Sequence, residues 1–240
     1  MSFDITGKTI LVTGANRGIG KAIVETFLKQ GAGRIIAAVR SPESAQPLTD
    51  AHGDRIEVIQ MDLSDATSIQ AAADGVDHVD MVINNAAVLE NGSPLDEKAP
   101  ESWNTQSHIN VNGLLHVARA FKPHLKTSSG VFAQVNSSAA MRCSARFSIY
   151  AATKAAAYLI CQGLKEEFAE LGVRMMSIHP GPMLTDMAVQ AHIEDIAEPP
   201  EIVAKDILEA LKGNQFLVFS GSVAGAVGEA YAEFAQAYVE

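Results

Sequence analysis

Cysteine is scarce. Only Cys143 and Cys161 occur in 240 residues, with neither a disulfide framework nor metal-ligand spacing, which suits a reducing cytosol. The seven histidines are scattered, and no His-Glu-x-x-His or Cys/His cluster is present to hold zinc, so metal-assisted chemistry is not expected. Positive charge is in deficit as well: 18 Lys and Arg against 28 Asp and Glu give a net charge of −10 and a pI near 5.1. Without a basic stripe to release counterions, a nucleic-acid partner is excluded. Apolar runs are short and broken by charge or glycine, so none spans a bilayer. Met1 to Thr6 carries Asp4 and no basic start before an apolar core, so no secretory signal is read there, and a soluble, cytoplasmic protein is expected. Repeats, low-complexity tracts and linkers are absent too, and one domain over residues 1–240 is the expectation.

What is present is an alternation of two periodicities. Short β-branched runs at Lys8–Val12, Arg34–Val39, Ile56–Met61, Asp80–Ile83, Val131–Val135, Val173–His179 and Gln215–Phe219 read as strands. Between them lie helical patterns: one after the first strand, ending at Gly31, short ones over 42–52 and 67–73, and a long one from Trp103 to Phe121 that stops before Pro123. Others run from Ile149 to about Glu170, from Pro199 to Leu211, and from Val223 to Val239. This order predicts an α/β fold, a doubly wound seven-stranded parallel sheet with helices on both faces, whose ligand lies beyond the carboxyl ends of the strands.

The chemistry collects between Asn136 and Lys154. Tyr150 and Lys154, four residues apart on a helix, share one face. A free phenol has a pKa near 10, and a neighbouring ammonium is expected to lower it toward neutrality, making an acid/base pair. Ser138, just past the fifth strand, is placed to hold a carbonyl oxygen beside the phenol. Asn110, an amide in an otherwise apolar helical band, either braces neighbouring backbone or joins a proton path.

Elsewhere, Thr13-Gly14-Ala15-Asn16-Arg17-Gly18-Ile19-Gly20 joins the first strand to the first helix. Such a turn lets the backbone approach a pyrophosphate at a helix N-terminus. The second strand ends in Val39-Arg40 with no carboxylate, so Arg40, with Arg17, suits the 2′-phosphate of NADP rather than the free hydroxyl of NAD. Asp62 is placed to accept from an adenine amino group, and Thr185, in a proline-fixed loop, to bond a nicotinamide amide.

Taken in order, the segments TGANRGIG (13–20), DL (62–63), NNAA (84–87), NVNG (110–113), Ser137-Ser138, YAATK (150–154) and PGPMLT (180–185) resemble those of the short-chain dehydrogenase/reductase family over nearly the whole chain. The resemblance implies catalytic roles for Ser138, Tyr150, Lys154 and Asn110. It implies NADP(H) binding by Gly14, Asn16, Arg17, Gly18, Ile19, Gly20, Arg40, Asp62, Leu63, Asn84, Ala86, Tyr150, Lys154, Pro180, Gly181 and Thr185, with Asn84 beneath the adenosine ribose and no metal. Three positions depart from the pattern. Ala87 and Met141 replace usual glycines, and the Ser138 to Tyr150 spacing is one residue short. Ser137 restores that spacing; Ser138 is preferred because neighbouring side chains of an extended strand point to opposite faces. The expected function is an NADPH-dependent carbonyl reductase or alcohol dehydrogenase acting on a small apolar carbonyl or alcohol, assembled as a dimer or tetramer. The alternatives are a non-catalytic NADP(H)-binding sensor or scaffold, and an epimerase or dehydratase using the same tyrosine.

Overall fold

The computed structural model describes residues 2–240, so the first residue of the Met1 to Thr6 stretch lies outside it. Among the described residues the apolar runs become seven strands: β1 (Thr9–Thr13), β2 (Arg34–Val39), β3 (Ile56–Gln60), β4 (Met81–Asn84), β5 (Val131–Val135), β6 (Arg174–Pro180) and β7 (Leu217–Ser220). They form one sheet in the order β3-β2-β1-β4-β5-β6-β7, and every neighbouring pair is parallel. Parallel neighbours need crossovers, and the right-handed rule sends successive helices to whichever face the strand order demands. The order reverses between β1 and β4, which opens a crevice at their carboxyl ends.

Alternation along each strand divides the core in two. Ile10, Val12, Ile35 and Ala37 face α1 (Gly18–Lys29), α2 (Gln46–His52) and α8 (Glu201–Lys212), where Phe27, Leu48 and Ile207 are buried. Leu11, Ile36, Val82 and Phe132 face the other way, toward α3 (Ala66–Asp74), α5 (Gly113–Ser128), α6 (Ser148–Glu170) and α9 (Ser222–Tyr238). Two further helices, α4 (Ala99–Ser107) and the short α7 (Asp186–Gln190), flank the crevice. Among the described residues no helix is long and apolar enough to cross a membrane.

One expectation needs correcting. The single helix from Trp103 to Phe121 is two, α4 and α5, joined by a π-helical turn over His108–Asn112, and α5 runs through Pro123 to Ser128. Proline removes one backbone donor. Both Pro123 and Arg119, whose carbonyl loses that donor, are exposed, where a lost backbone bond costs least.

The reversal in strand order is fixed by Asp80, 5 % exposed, just before β4. Its carboxylate accepts from the Thr9 amide at 2.9 Å and from Lys8 Nζ at 3.0 Å, with His78 Nε2 at 3.1 Å, and its backbone amide donates to Thr9. Burial pushes the carboxyl pKa up, but the Thr9 amide, Lys8 and His78 outweigh it and leave it below the ordinary value. A depressed folded-state pKa means stability that is present above the unfolded value and lost as pH falls through the folded one. Asp80→Asn is therefore expected to lose about 1–3 kcal/mol near neutrality. In urea titrations its deficit against the parent chain should shrink as the solution falls through the carboxylate range; a deficit independent of pH would refute the ionic contribution.

Candidate active site

The crevice begins at the turn after β1. Gly14 and Gly18 adopt φ of +63° and +53°, the left-handed region that side chains disfavour, and a Cβ on Gly20 would stand 2.2 Å from the Gly14 carbonyl oxygen. Glycine is thus required at these positions by the path of the chain. Arg17 is the N-cap of α1 and gives it no side-chain cap, so the first amides of the helix are free to meet an anion. Asn16 is half-buried, Arg17 is exposed, and Ile19 tucks against the core. Across from the turn, Thr185 lies where a Gly18 Cβ would come within 3.1 Å of its methyl, and Arg17 pairs with exposed Asp186 at 3.5 Å. Asn16, Arg17, Leu184 and Thr185 line one cleft of about 370 Å³ between the two segments.

Buried polar side chains brace the floor. Thr13 Oγ1 accepts from the Asn85 and Ala86 amides at 2.9 Å and donates to Asn84 Oδ1 at 3.1 Å; Asn84 Nδ2 donates to Gln134 Oε1 at 2.7 Å. Asn84, expected beneath a ribose, spends both ends of its amide inside the sheet, tying β1 to β5 through β4. Asn85, which the sequence reading passed over, points at the glycine turn, with Nδ2 2.9 Å from the Thr13 carbonyl. Its only sequence signal was its place in the Asn84-Asn85 pair. Asp62 Oδ1 accepts from the Ser64 amide and hydroxyl at 2.9 and 2.7 Å. These bonds, helped by Arg40 and His108 and opposed by slight burial, hold its pKa down. Arg40 is exposed at the end of β2, and Leu63 is buried against Gly113. Pro180 and Gly181 carry the end of β6 beside α9. Thr185, placed against a carboxamide on sequence grounds, caps α7, accepting from the Ala188 amide at 3.4 Å.

The reacting end lies where α6 meets the end of β5. Tyr150 is 8 % exposed and Lys154 2 %. The ammonium donates to the Val135 carbonyl at 2.9 Å and sits 5.7 Å from the centre of the Tyr150 ring. Burial drives the phenol pKa up to about 12, against a downward pull from the Ser137 hydroxyl, and drives the Lys154 pKa down to about 8. The phenol is not brought below its free value as the spacing suggested, because Nζ is turned to the backbone and desolvation outweighs any pull from the ammonium. The structure also places Ser137, not the preferred Ser138, against the phenol. Ser138 opens a 3-10 turn over residues 138–140, and no side-chain hydrogen bond of its own occurs among the described residues. The extended alternation on which the preference rested ends at Ser137.

Asn110 takes the bracing role. In the π-helical turn its Oδ1 accepts from the Val88 amide and its Nδ2 donates to the Val88 carbonyl, both at 2.9 Å, and to Thr153 Oγ1 at 3.1 Å. The segment after β4 is thereby tied to α6 one residue from Lys154. Arg146 joins the remaining loops: its carbonyl accepts from the Gly92 amide at 2.8 Å, and its guanidinium donates to the Ala191 carbonyl at 2.6 Å.

A glycine turn at a helix N-terminus, with a phenol, a serine and a lysine at the neighbouring strand ends, defines a dinucleotide-binding α/β oxidoreductase. The chain belongs to the short-chain dehydrogenase family, whose model matches residues 8–195. It is 32 % identical over 209 residues to an uncharacterized oxidoreductase of Staphylococcus epidermidis, covering 85 % of this chain and 89 % of that one. A similar protein of Staphylococcus haemolyticus is 30 % identical over 215 residues, covering 87 % and 92 %. The fold matches a short-chain dehydrogenase of Burkholderia cenocepacia in complex with NADP, with TM-score 0.87, 29 % identity, and 98 % and 97 % of the two chains covered. It also matches one from Burkholderia phymatum in complex with NAD, with TM-score 0.85 at 20 % identity over 99 % and 97 % of the chains, which bears on the fold alone.

Replacing Asn110 by alanine strands the amide and carbonyl of Val88. A loss of about 2–4 kcal/mol is expected, with faster amide exchange at Val88 than at core strands. Unchanged exchange there would remove Asn110 from the bracing role.

Proposed function

We propose that the protein is an NADP(H)-dependent carbonyl reductase and alcohol dehydrogenase for small apolar substrates. The observation that carries the reading is the meeting of a buried phenol, a serine hydroxyl and a buried ammonium at the carboxyl end of β5, beside a glycine turn that a side chain would block.

The residues present fit the dinucleotide. The uncapped start of α1 offers amides to a pyrophosphate, and Arg17 and Arg40 offer charge to a 2′-phosphate where no carboxylate ends β2. The likeness to an NADP complex adds support without deciding the preference. Bound there, the dinucleotide supplies the hydride in reduction and accepts it in oxidation. Tyr150 gives its proton to the substrate oxygen as the carbonyl carbon becomes an alcohol carbon, and takes it back in the reverse direction. A phenol near pKa 12 is fully protonated at neutral pH, which suits a proton donor. The Ser137 hydroxyl holds the same oxygen. Lys154 keeps a positive charge against the ring that favours the tyrosinate formed, and loses it above about pH 8. Val88, Met141 and Phe147, each half-buried, offer an apolar lining. Two unpaired cysteines agree with a cytosolic setting, and Trp103, Leu115 and Leu159, exposed on α4, α5 and α6, agree with a homo-oligomer.

The test is consumption of NADPH, with NADH in parallel, across apolar aldehydes and ketones. Tyr150→Phe should bind NADPH as the parent does and lose about 10²-fold or more in kcat. Ser137→Ala should cost about tenfold or more while Ser138→Ala stays near the parent. Full turnover in Tyr150→Phe would refute the acid; tight NADPH binding without turnover of any carbonyl would favour the sensor reading. The reduction rate should fall as pH rises through about 8, in step with the Lys154 charge.

A further inference from the structure

Behind Ser137 stands a histidine with no exposed surface. His179, near the end of β6, places Nδ1 3.1 Å from the Ser137 carbonyl and Nε2 2.8 Å from Ser177 Oγ. Ser177 Oγ lies 2.8 Å from Asn136 Nδ2, and the Asn136 amide also reaches Cys161 Sγ at 3.6 Å. A carbonyl can only accept, so Nδ1 carries a proton. Burial lowers the ring pKa to about 4; the Ser137 carbonyl opposes this and the Lys154 ammonium adds to it, so the ring is neutral and Nε2 is an acceptor. Every proton in the chain then has a direction. Asn136 donates to Ser177, Ser177 to His179, and His179 to the Ser137 carbonyl.

The ring has no freedom to leave this position. Tyr158 meets it edge-on with centroids 4.9 Å apart, and Phe219 stacks on it at 5.2 Å. Burying two polar nitrogens is unfavourable unless both are paired, so an apolar side chain would fill the space at lower cost. The arrangement makes sense through what it holds. Ser137 belongs to a turn with bonds of its own: its carbonyl accepts from the Ala140 amide at 3.0 Å and its hydroxyl from the Ala139 amide at 3.1 Å. Those bonds shape the turn, and the His179 bond ties the turn to the sheet. With the Ala139 amide on one lone pair of Ser137 Oγ, the hydroxyl proton is left for the phenol or for a substrate oxygen.

We propose that His179 is a positioning residue for the reaction: through the Ser137 carbonyl it fixes the Ser137 hydroxyl relative to the Tyr150 phenol. This rests on the reading of Tyr150 and Ser137 as the reacting centre, and it adds a residue that no motif of the sequence singled out.

Two measurements on the full chain decide it. Long-range proton–nitrogen spectra, assigned by difference against His179→Asn, should show the His179 ring neutral at pH 6 with its proton on Nδ1. A protonated ring or a proton on Nε2 at that pH overturns the proposal. In kinetics with NADPH and an apolar ketone, His179→Leu should lose about tenfold or more in kcat with NADPH affinity unchanged and little change in KM. His179→Asn, which keeps a donor near the place of Nδ1, should recover to within about threefold of the parent. Parent-like kcat in a folded His179→Leu, or no recovery in a folded His179→Asn, overturns it. Should His179→Leu fail to fold, Ser177→Ala frees the ring to take the other tautomer and should lower kcat with NADPH affinity intact; unchanged kcat there counts against the proposal. A parent chain that reduces no carbonyl, its ring still protonated on Nδ1, would refute the reductase function while supporting the placement of His179.

Discussion

A buried ammonium bonded to a single carbonyl is the interaction on which the site depends. Lys154 Nζ, all but closed off from solvent, donates to Val135, the last residue of β5. An ion in such a place must have partners or give up its charge, and the drop of its pKa to about 8 records that pressure. One bond therefore sets the height of α6 against the sheet. Tyr150, one turn earlier on the same face, is carried to the strand end, and the turn after β5, with Ser137, is brought against the phenol.

The same burial reverses the electrostatics that helical spacing suggested. Tyrosine and lysine four residues apart read as a phenol held low by a cation, but proximity along a helix does not decide where Nζ points. Here it points to the backbone, and desolvation governs both groups: the phenol rises, the ammonium falls, and the two pKa values move apart. At neutral pH the centre holds a neutral phenol beside a cation.

The fold was legible because its signals are local. Runs such as Arg34–Val39 and Val131–Val135 match strands residue for residue, since a strand buried on both faces is a mostly apolar run, with Arg34 and Gln134 the polar exceptions. The join between α4 and α5 was not legible. A π-helical turn leaves apolar periodicity almost intact, and Pro123 costs little where both it and its lost acceptor are exposed. The site divides in the same way. Gly14, Gly18 and Gly20 are fixed by backbone conformation and show in their spacing, whereas the exchange of Ser138 for Ser137 depends on where extended geometry stops, and His179 depends on strands far apart in the chain. Among apolar neighbours in β6, nothing local marks a histidine as anything but core.

The two halves of the crevice are built from different materials. The glycine turn and the start of α1 act through backbone, and the turn admits no side chain at Gly14, Gly18 or Gly20. The opposite half is made of three loops, after β4, after β5 and after β6, held by Asn110 on Val88 and by Arg146 on Gly92 and Ala191. Those ties fix main chain and leave the lining side chains free to differ. Tyr150 and Ser137 keep their places independently of that lining, held by Lys154 from one side and by the hydrogen-bonded interior of β6 from the other.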